Sequence, residues 1–395
     1  MTVELKHPMK PDATPDEIAR GRFVSGMRGL ILNDLAGDMR AAYDRRAAPA
    51  FKKEHGRDPE TSRDAHQALR GDPAFNIYSA MRVQAQKMVW ASVAGSVERE
   101  AERLSEEAAR VANAAGSVEL DPNLEVPKNV HALDVHLMPG SYTRGADSLE
   151  AGAVYDRGLA VFSMGLMGAN LDDIGLSMSQ YIKQRFPDFA PQRILDTGCT
   201  IGHNTLPWKQ AYPDAEVTAI DAAPGPLTYG SARAKMQGHE IAFKQMCADD
   251  LAFEDESFDV VWSSMFLHEL SKKQRAKAFD EAYRVLKPGG LMVHMELPPN
   301  QEMGAFDGFY LDWDSYYNNE PYYKAFRDEV PSELCTRAGF SQSELFEFVV
   351  PSIGLYGEQA VSDAAHGDRA EGVGQETTGR LADGVMWYGF GAWKK

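Results

Sequence analysis

The sequence predicts an α/β protein: a Rossmann-like, seven-stranded sheet with an antiparallel last strand, preceded by an α-helical N-terminal domain. Three observations carry this. Short apolar runs alternate with helical stretches between residues 190 and 300, the pattern of a parallel sheet. A glycine turn at Gly198 and Gly202 follows the first run, and Asp221 ends the second. Before them, the chain reads chiefly as helix, with apolar residues at helical spacing. The expected division is a helical unit over 1–150 and an α/β unit over 151–395.

In the front unit, Thr14-Pro15-Asp16-Glu17 predicts a helix start with Thr as N-cap, Pro at the first position and Glu three residues on. Phe23, Met27, Leu30, Ile31 and Leu35 then form the expected apolar stripe, which Gly56-Arg57-Asp58-Pro59 interrupts. A second helix is expected from Pro73 to Val97, running on into the charged stretch 98–115. This unit reads as a cap or as the contact of a homodimer, with Arg82, Gln86 and Trp90 on one face as the residues that could reach a substrate. A loop over 121–127 leads to the apolar/polar stretch 130–142. Its His131 and His136 lack partners at metal-ligand spacing, so no metal is expected. Residues 155–171 read as a helix over the crevice.

Composition narrows the partners. The formal charge is −17, unevenly shared: −3 in residues 1–150 and −14 in the rest. That balance argues against nucleic acid, which binders meet with a basic face, and fits a neutral or cationic small molecule. Cys199, Cys247 and Cys335 cannot all pair and show no C-x-x-C spacing, which suggests a reducing compartment. The N-terminus lacks a signal-peptide core, and the longest apolar run, 158–171, is too short for a membrane span, so a cytoplasmic location is expected.

The central stretch is Leu195-Asp-Thr-Gly-Cys-Thr-Ile-Gly202. Strand, glycine turn and the helix that follows it (205–211) should build a crevice faced by backbone N–H groups and a helix N-terminus. Asp221, 19 residues beyond Gly202, is placed to bind ribose hydroxyls. Further strands are expected at 240–249, 258–263 and 291–296, with a helix over 274–286. Residues 345–350 and 385–393 should form an antiparallel last pair, separated by a loop or arm at 352–383.

These residues resemble the class I S-adenosylmethionine-dependent methyltransferases, in particular the small-molecule group that includes ubiquinone/menaquinone-type enzymes. The resemblance covers residues 190–300 and rests on four marks in order. These are Leu195-Asp-Thr-Gly-Cys-Thr-Ile-Gly202, Ile220-Asp221, Asp250-Leu-Ala-Phe-Glu-Asp-Glu-Ser-Phe-Asp-Val-Val261 and Arg284-Val-Leu-Lys-Pro-Gly-Gly290. It implies S-adenosyl-L-methionine as cofactor. Asp196, Gly198, Cys199 and Gly202 would hold its methionine part, Asp221 and Ala222 its ribose, Cys247, Ala248 and Asp249 its adenine, with Ser263 near the methionine. Thr200 stands where the family commonly has glycine, acceptable if the turn needs no positive φ there. Cys247 stands where an aspartate often meets the adenine amine, which makes Asp249 a rival for that contact.

Methyl transfer needs alignment and exclusion of water, plus a base only for a protonated acceptor. His268 and Glu296, past the fourth and fifth strands, are the candidate catalytic residues, with His136 and Tyr142 behind them. The segment 298–326 is crowded with aromatic and acidic residues. It reads equally as a substrate lid or a subunit interface, and Tyr142, Tyr310 and Trp313 are the candidate substrate contacts. Rival readings are a non-catalytic scaffold on the same fold and a nicotinamide-dependent oxidoreductase. Against the latter, G-x-G-x-x-G is absent and Asp196 would repel a pyrophosphate.

Overall fold

The computed structural model describes residues 7–145, 148–367 and 384–395. Its centre is one sheet of eight strands. In chain order they are β1 (Ser117–Glu119), β2 (Arg193–Thr197), β3 (Glu216–Asp221), β4 (Ala242–Gln245), β5 (Phe258–Ser264), β6 (Leu286–Glu296), β7 (Leu345–Pro351) and β8 (Met386–Trp393). The spatial order is β1-β4-β3-β2-β5-β6-β8-β7, with β8 antiparallel to both its neighbours. Seven strands match the expected sheet. The eighth, β1, comes from the helical front and pairs with the edge of β4.

Side-chain alternation explains why the middle strands lie inside. Ile194 and Val260 point into one apolar cluster, and their neighbours Leu195 and Val261 into another on the opposite face. The chain leaves β2 towards β3 and β4, then returns to the other side of β2 as β5. The crevice therefore opens at the C-terminal ends of β2 and β5, where strand order reverses.

The front begins as expected, with Thr14 and Glu17 closing a reciprocal cap on the helix Pro15–Gly29. Its buried face is not the expected stripe. Val24, Ser25 and Arg28 turn inward and Ile31 is buried, while Phe23 and Leu30 lie exposed. The face is rotated because Arg28 points inward, donating to Gln86 and to the Phe162 carbonyl. One helix, Pro73–Arg110, joins the two expected stretches. A third cluster mixes Val24, Val89 and Trp90 of the front with Val154, Tyr229 and Ala232 of the α/β half, so the two parts share a core.

Other expectations shift. The helix expected over 155–171 is Glu150–Phe162, followed by turns in which Met164 and Leu171 take positive φ. In the expected loop 352–383, Ile353–Ala365 is a helix kinked at Gly357, and residues 368–383 lie outside the described residues. Among the described residues, no helix is long and apolar enough to cross a membrane.

Candidate active site

At the end of β2, Asp196 is buried and its Oδ2 accepts a hydrogen bond from Thr205 Oγ1 at 2.5 Å. Burial pushes this carboxyl up to about 8. The Thr205 bond opposes the shift and the nearby Asp221 charge adds to it. Gly198 and Gly202 both have positive φ, +75° and +69°. A Cβ on Gly198 would come within 2.1 Å of the Phe266 ring, so glycine alone lets that ring close on the turn. Thr200 also has positive φ, +52°, which corrects the expectation that this position avoids it. A β-branched residue is strained there. Its N–H is held by Asp221 Oδ2 at 2.9 Å.

The turn is not the cradle of free donors expected. The N–H groups of Gly198 and Cys199 both donate to the Ile220 carbonyl, and that of Gly202 to the Cys199 carbonyl. These bonds tie the turn to β3. Asp221 accepts from Thr200 and Ala223, one bond to each oxygen. A carboxylate has about four lone-pair sites, so room is left for two hydroxyls.

Ala222 follows at the β3 tip, its carbonyl accepting from Gln245 Nε2 at 3.0 Å. Cys247, Ala248 and Asp249 come directly after β4, brought alongside by the Met246 N–H bond to the Asp221 carbonyl. Ala248 is buried in the core, and burial, then Asp249, pushes the Cys247 thiol up to about 11. Cys199 is likewise buried among apolar residues. The Ser263 hydroxyl is fully buried and engages its cross-strand neighbour on β6, His294 Nδ1, at 2.7 Å. His203 is a packing residue: burial holds its imidazole down at about 3, and its ring lies against Tyr155.

His268 and Glu296, 28 residues apart, meet at 2.6 Å through Nδ1 and Oε2. Glu296 Oε1 also accepts the N–H groups of Phe266 and Leu267, which fixes the loop after β5. The His268 ring stacks on Tyr323 with centroids 3.8 Å apart. On the other side stands His136, whose Nε2 lies 2.9 Å from Tyr142 OH and 3.4 Å from Glu269, and whose Nδ1 lies 3.2 Å from Glu320. Tyr142 packs on Tyr155, and Tyr155 on His203 beside the glycine turn, so this group borders the crevice. Burial opposes charge on both imidazoles, but the carboxylates outweigh it. His136 rises to about 10 and His268 also rises, chiefly through Glu296.

Tyr310 and Trp313 lie elsewhere. Tyr310 is buried against Tyr78 and Phe306, and Trp313 packs on His66 and Phe75 and donates to Ser79. Their aromatic cluster closes on this chain's own front helices. Tyr310 and Trp313 therefore pack within the protein, while Glu320 and Tyr323, later in the same segment, stand beside His136 and His268. Arg82, Gln86 and Trp90 are also engaged within the protein. Arg82 pairs with Asp314 at 2.6 Å, and Gln86 and Trp90 both donate to the His136 carbonyl. Tyr155 and Glu269 carry no sequence signal of their own, although Glu269 adjoins His268, whereas Glu320 and Tyr323 belong to the aromatic, acidic insert expected near the substrate. Among the described residues, no three His, Cys, Asp or Glu side chains are arranged to hold a metal ion.

Residues 194–290 match the family described as Methyltransferase domain. With the sheet order above, this identifies a class I S-adenosylmethionine-dependent methyltransferase domain. The chain is similar to demethylmenaquinone methyltransferase of Thermus thermophilus, 38% identical over 117 residues, 30% of this chain and 52% of the relative. The Symbiobacterium thermophilum enzyme of the same name is 31% identical over 132 residues, 32% of this chain and 52% of the relative. The chain thus spans about half the length of these curated relatives. Among solved structures, Haemonchus contortus phospholethanolamine N-methyltransferase 2 aligns over 60% of this chain and 57% of its own. At 17% identity and a TM-score of 0.42, that likeness is too distant to inform the acceptor.

The residues present fit S-adenosylmethionine. A buried carboxylate raised to about 8 gains from an ammonium group, such as a methionine end carries. Asp221 retains acceptor sites for ribose hydroxyls.

Proposed function

We propose that this protein transfers a methyl group from S-adenosylmethionine to a small-molecule acceptor that is neutral, aromatic or cationic. The observation that carries the reading is Asp196, a buried carboxylate at the strand switch point, with Asp221 one strand away and, on the other side, His268 past the adjacent β5 and its partner Glu296 at the end of β6.

When bound, the cofactor supplies a methyl group on a sulfonium. Asp196 holds the ammonium end, with Thr205 setting its orientation. Gly198 and Gly202 leave the turn free of side chains, and Asp221 with Ala222 receives the ribose. Cys247, Ala248 and Asp249 border the adenine. Glu296 fixes Nδ1 of His268, so Nε2 is the nitrogen left to face the acceptor. The front helices and the insert exclude water above it.

Isothermal titration calorimetry with S-adenosylmethionine should give a Kd of about micromolar, and Asp221→Ala should weaken it at least ~30-fold, the value of about one hydrogen bond to a charged group. Tight NAD binding instead would sink the reading. Release of S-adenosylhomocysteine with a metabolite panel then separates an enzyme from a scaffold.

A further inference from the structure

The group around His136 joins three distant segments: the stretch 134–145, the turn after β5, and the insert. Its parts are Glu269 and His268, Glu320 with Tyr323, and His136 with Tyr142. Two carboxylate oxygens here are buried without a hydrogen-bond partner, Glu269 Oε1 and Glu320 Oε2. Glu320 is more than nine-tenths buried. The two oxygens lie 3.9 Å and 3.8 Å from His268 Nε2, so both stand beside the same imidazole nitrogen. His136 and Glu269 are partly exposed at 20% and 16%, which leaves one side of the group open.

A buried carboxylate oxygen that has ionic neighbours but no hydrogen bond is costly, and two beside one imidazole suit a ligand with several donors. A hydroxyl offers one donor and an ammonium three. Charge points the same way. Three carboxylates (Glu269, Glu296, Glu320) face two histidines, so the group carries a net −1 even with both imidazoles charged. The rings of Tyr142 and Tyr323 flank it, a wall that suits a cation.

Backbone strain supports a binding role. His136, Leu137 and Ser141 all take positive φ, at 57°, 55° and 51°. His136 is kept there by two bonds to its carbonyl, from Gln86 Nε2 at 2.8 Å and Trp90 Nε1 at 2.7 Å. Strain of this kind persists only where the surroundings enforce it, and it gathers at ligand clamps.

We infer that the methyl acceptor is an amine, whose nitrogen docks between Glu269 Oε1, Glu320 Oε2 and His268 Nε2. This rests on the methyl-transfer reading above. The amine arrives as an ammonium and gives one proton to the Glu269–Glu320 carboxylates. Its freed lone pair bonds the methyl carbon as the carbon–sulfur bond breaks, with that electron pair staying on sulfur. The product is the N-methylated ammonium, and the carboxylates release the proton to solvent through the open side.

The test uses matched pairs differing only in N or O, such as phenethylamine against 2-phenylethanol and benzylamine against benzyl alcohol, with the full chain. S-adenosylhomocysteine release should favour each amine at least ~10-fold. Glu320→Gln, near-isosteric and uncharged, should raise the amine KM about 10-fold or more. Its Kd for S-adenosylhomocysteine should stay within about twofold, which also verifies folding. Glu269→Gln should act alike. Equal or faster turnover of the alcohols, no saturable response to any amine, or an unchanged amine KM in both variants would each overturn the inference. Cofactor binding with alcohol turnover would leave the methyl-transfer reading standing. Absent cofactor binding would remove both.

Discussion

Asp196 shows how one side chain can report on its missing partner. Burial raises its carboxyl to about 8, so in the ligand-free protein it is largely protonated at neutral pH. An ammonium needs the carboxylate, so affinity for S-adenosylhomocysteine should tighten as pH rises from 6 to 8, by up to about tenfold per unit. Calorimetry at several pH values should show this slope, and Asp196→Asn should flatten it. The sign for stability is opposite. The folded-state pKa lies above the unfolded value of 3.8, so the fold holds a proton that the unfolded chain releases. This group therefore makes the ligand-free protein less stable as pH climbs from about 4 to 8. Asp196 was legible from its place before a glycine turn, whereas the strained Thr200 was not. Its φ depends on the bond from Asp221, 21 residues on.

Between elements, the tightest contact in the front is helix on helix. Glu150–Phe162 packs on Pro73–Arg110 with Gly158 under the Trp90 ring, where a Cβ would come within 2.2 Å. Trp90 cannot retreat freely, because its Nε1 also holds the His136 carbonyl. Gly158→Ala should cost about 1–3 kcal/mol through overpacking, read as a lower urea midpoint at unchanged slope. The strands were nearly all predicted, since apolar runs ending in turn residues carry their own signal. β1 was not, because three residues paired at a sheet edge leave no pattern to read. The helix stripe erred for a related reason. Apolar residues at the right spacing do not reveal that a buried arginine will turn the helix by its own hydrogen bonds.

Across the whole molecule, a buried polar chain couples the front to the acceptor side. Arg28 and Arg82 share Gln86 Oε1, and Arg82 reaches Asp314 in the helix Ala305–Tyr317 and Asn318 that caps its C-terminus. Just beyond that helix stands Glu320. Arg82→Ala should cost about 3–5 kcal/mol by leaving buried partners unpaired. It should speed hydrogen exchange in residues 305–327 while leaving S-adenosylhomocysteine affinity within about twofold. Equal exchange rates in that segment would show the coupling to be absent.

The sequence by itself determined the sheet, its antiparallel end and the cofactor crevice. Each depends on local order: an apolar run, a carboxylate, two glycines, then a second carboxylate one strand later. Only the tertiary structure decided the acceptor side. His136, His268, Glu269, Glu296 and Glu320 come from four separate segments; the strand ends mark His268 and Glu296 as candidates, but no spacing joins them to His136, Glu269 and Glu320. Their meeting, with two carboxylate oxygens left without a hydrogen bond, depends on how the front and the insert pack over β5 and β6. Such packing leaves no periodic trace in the chain.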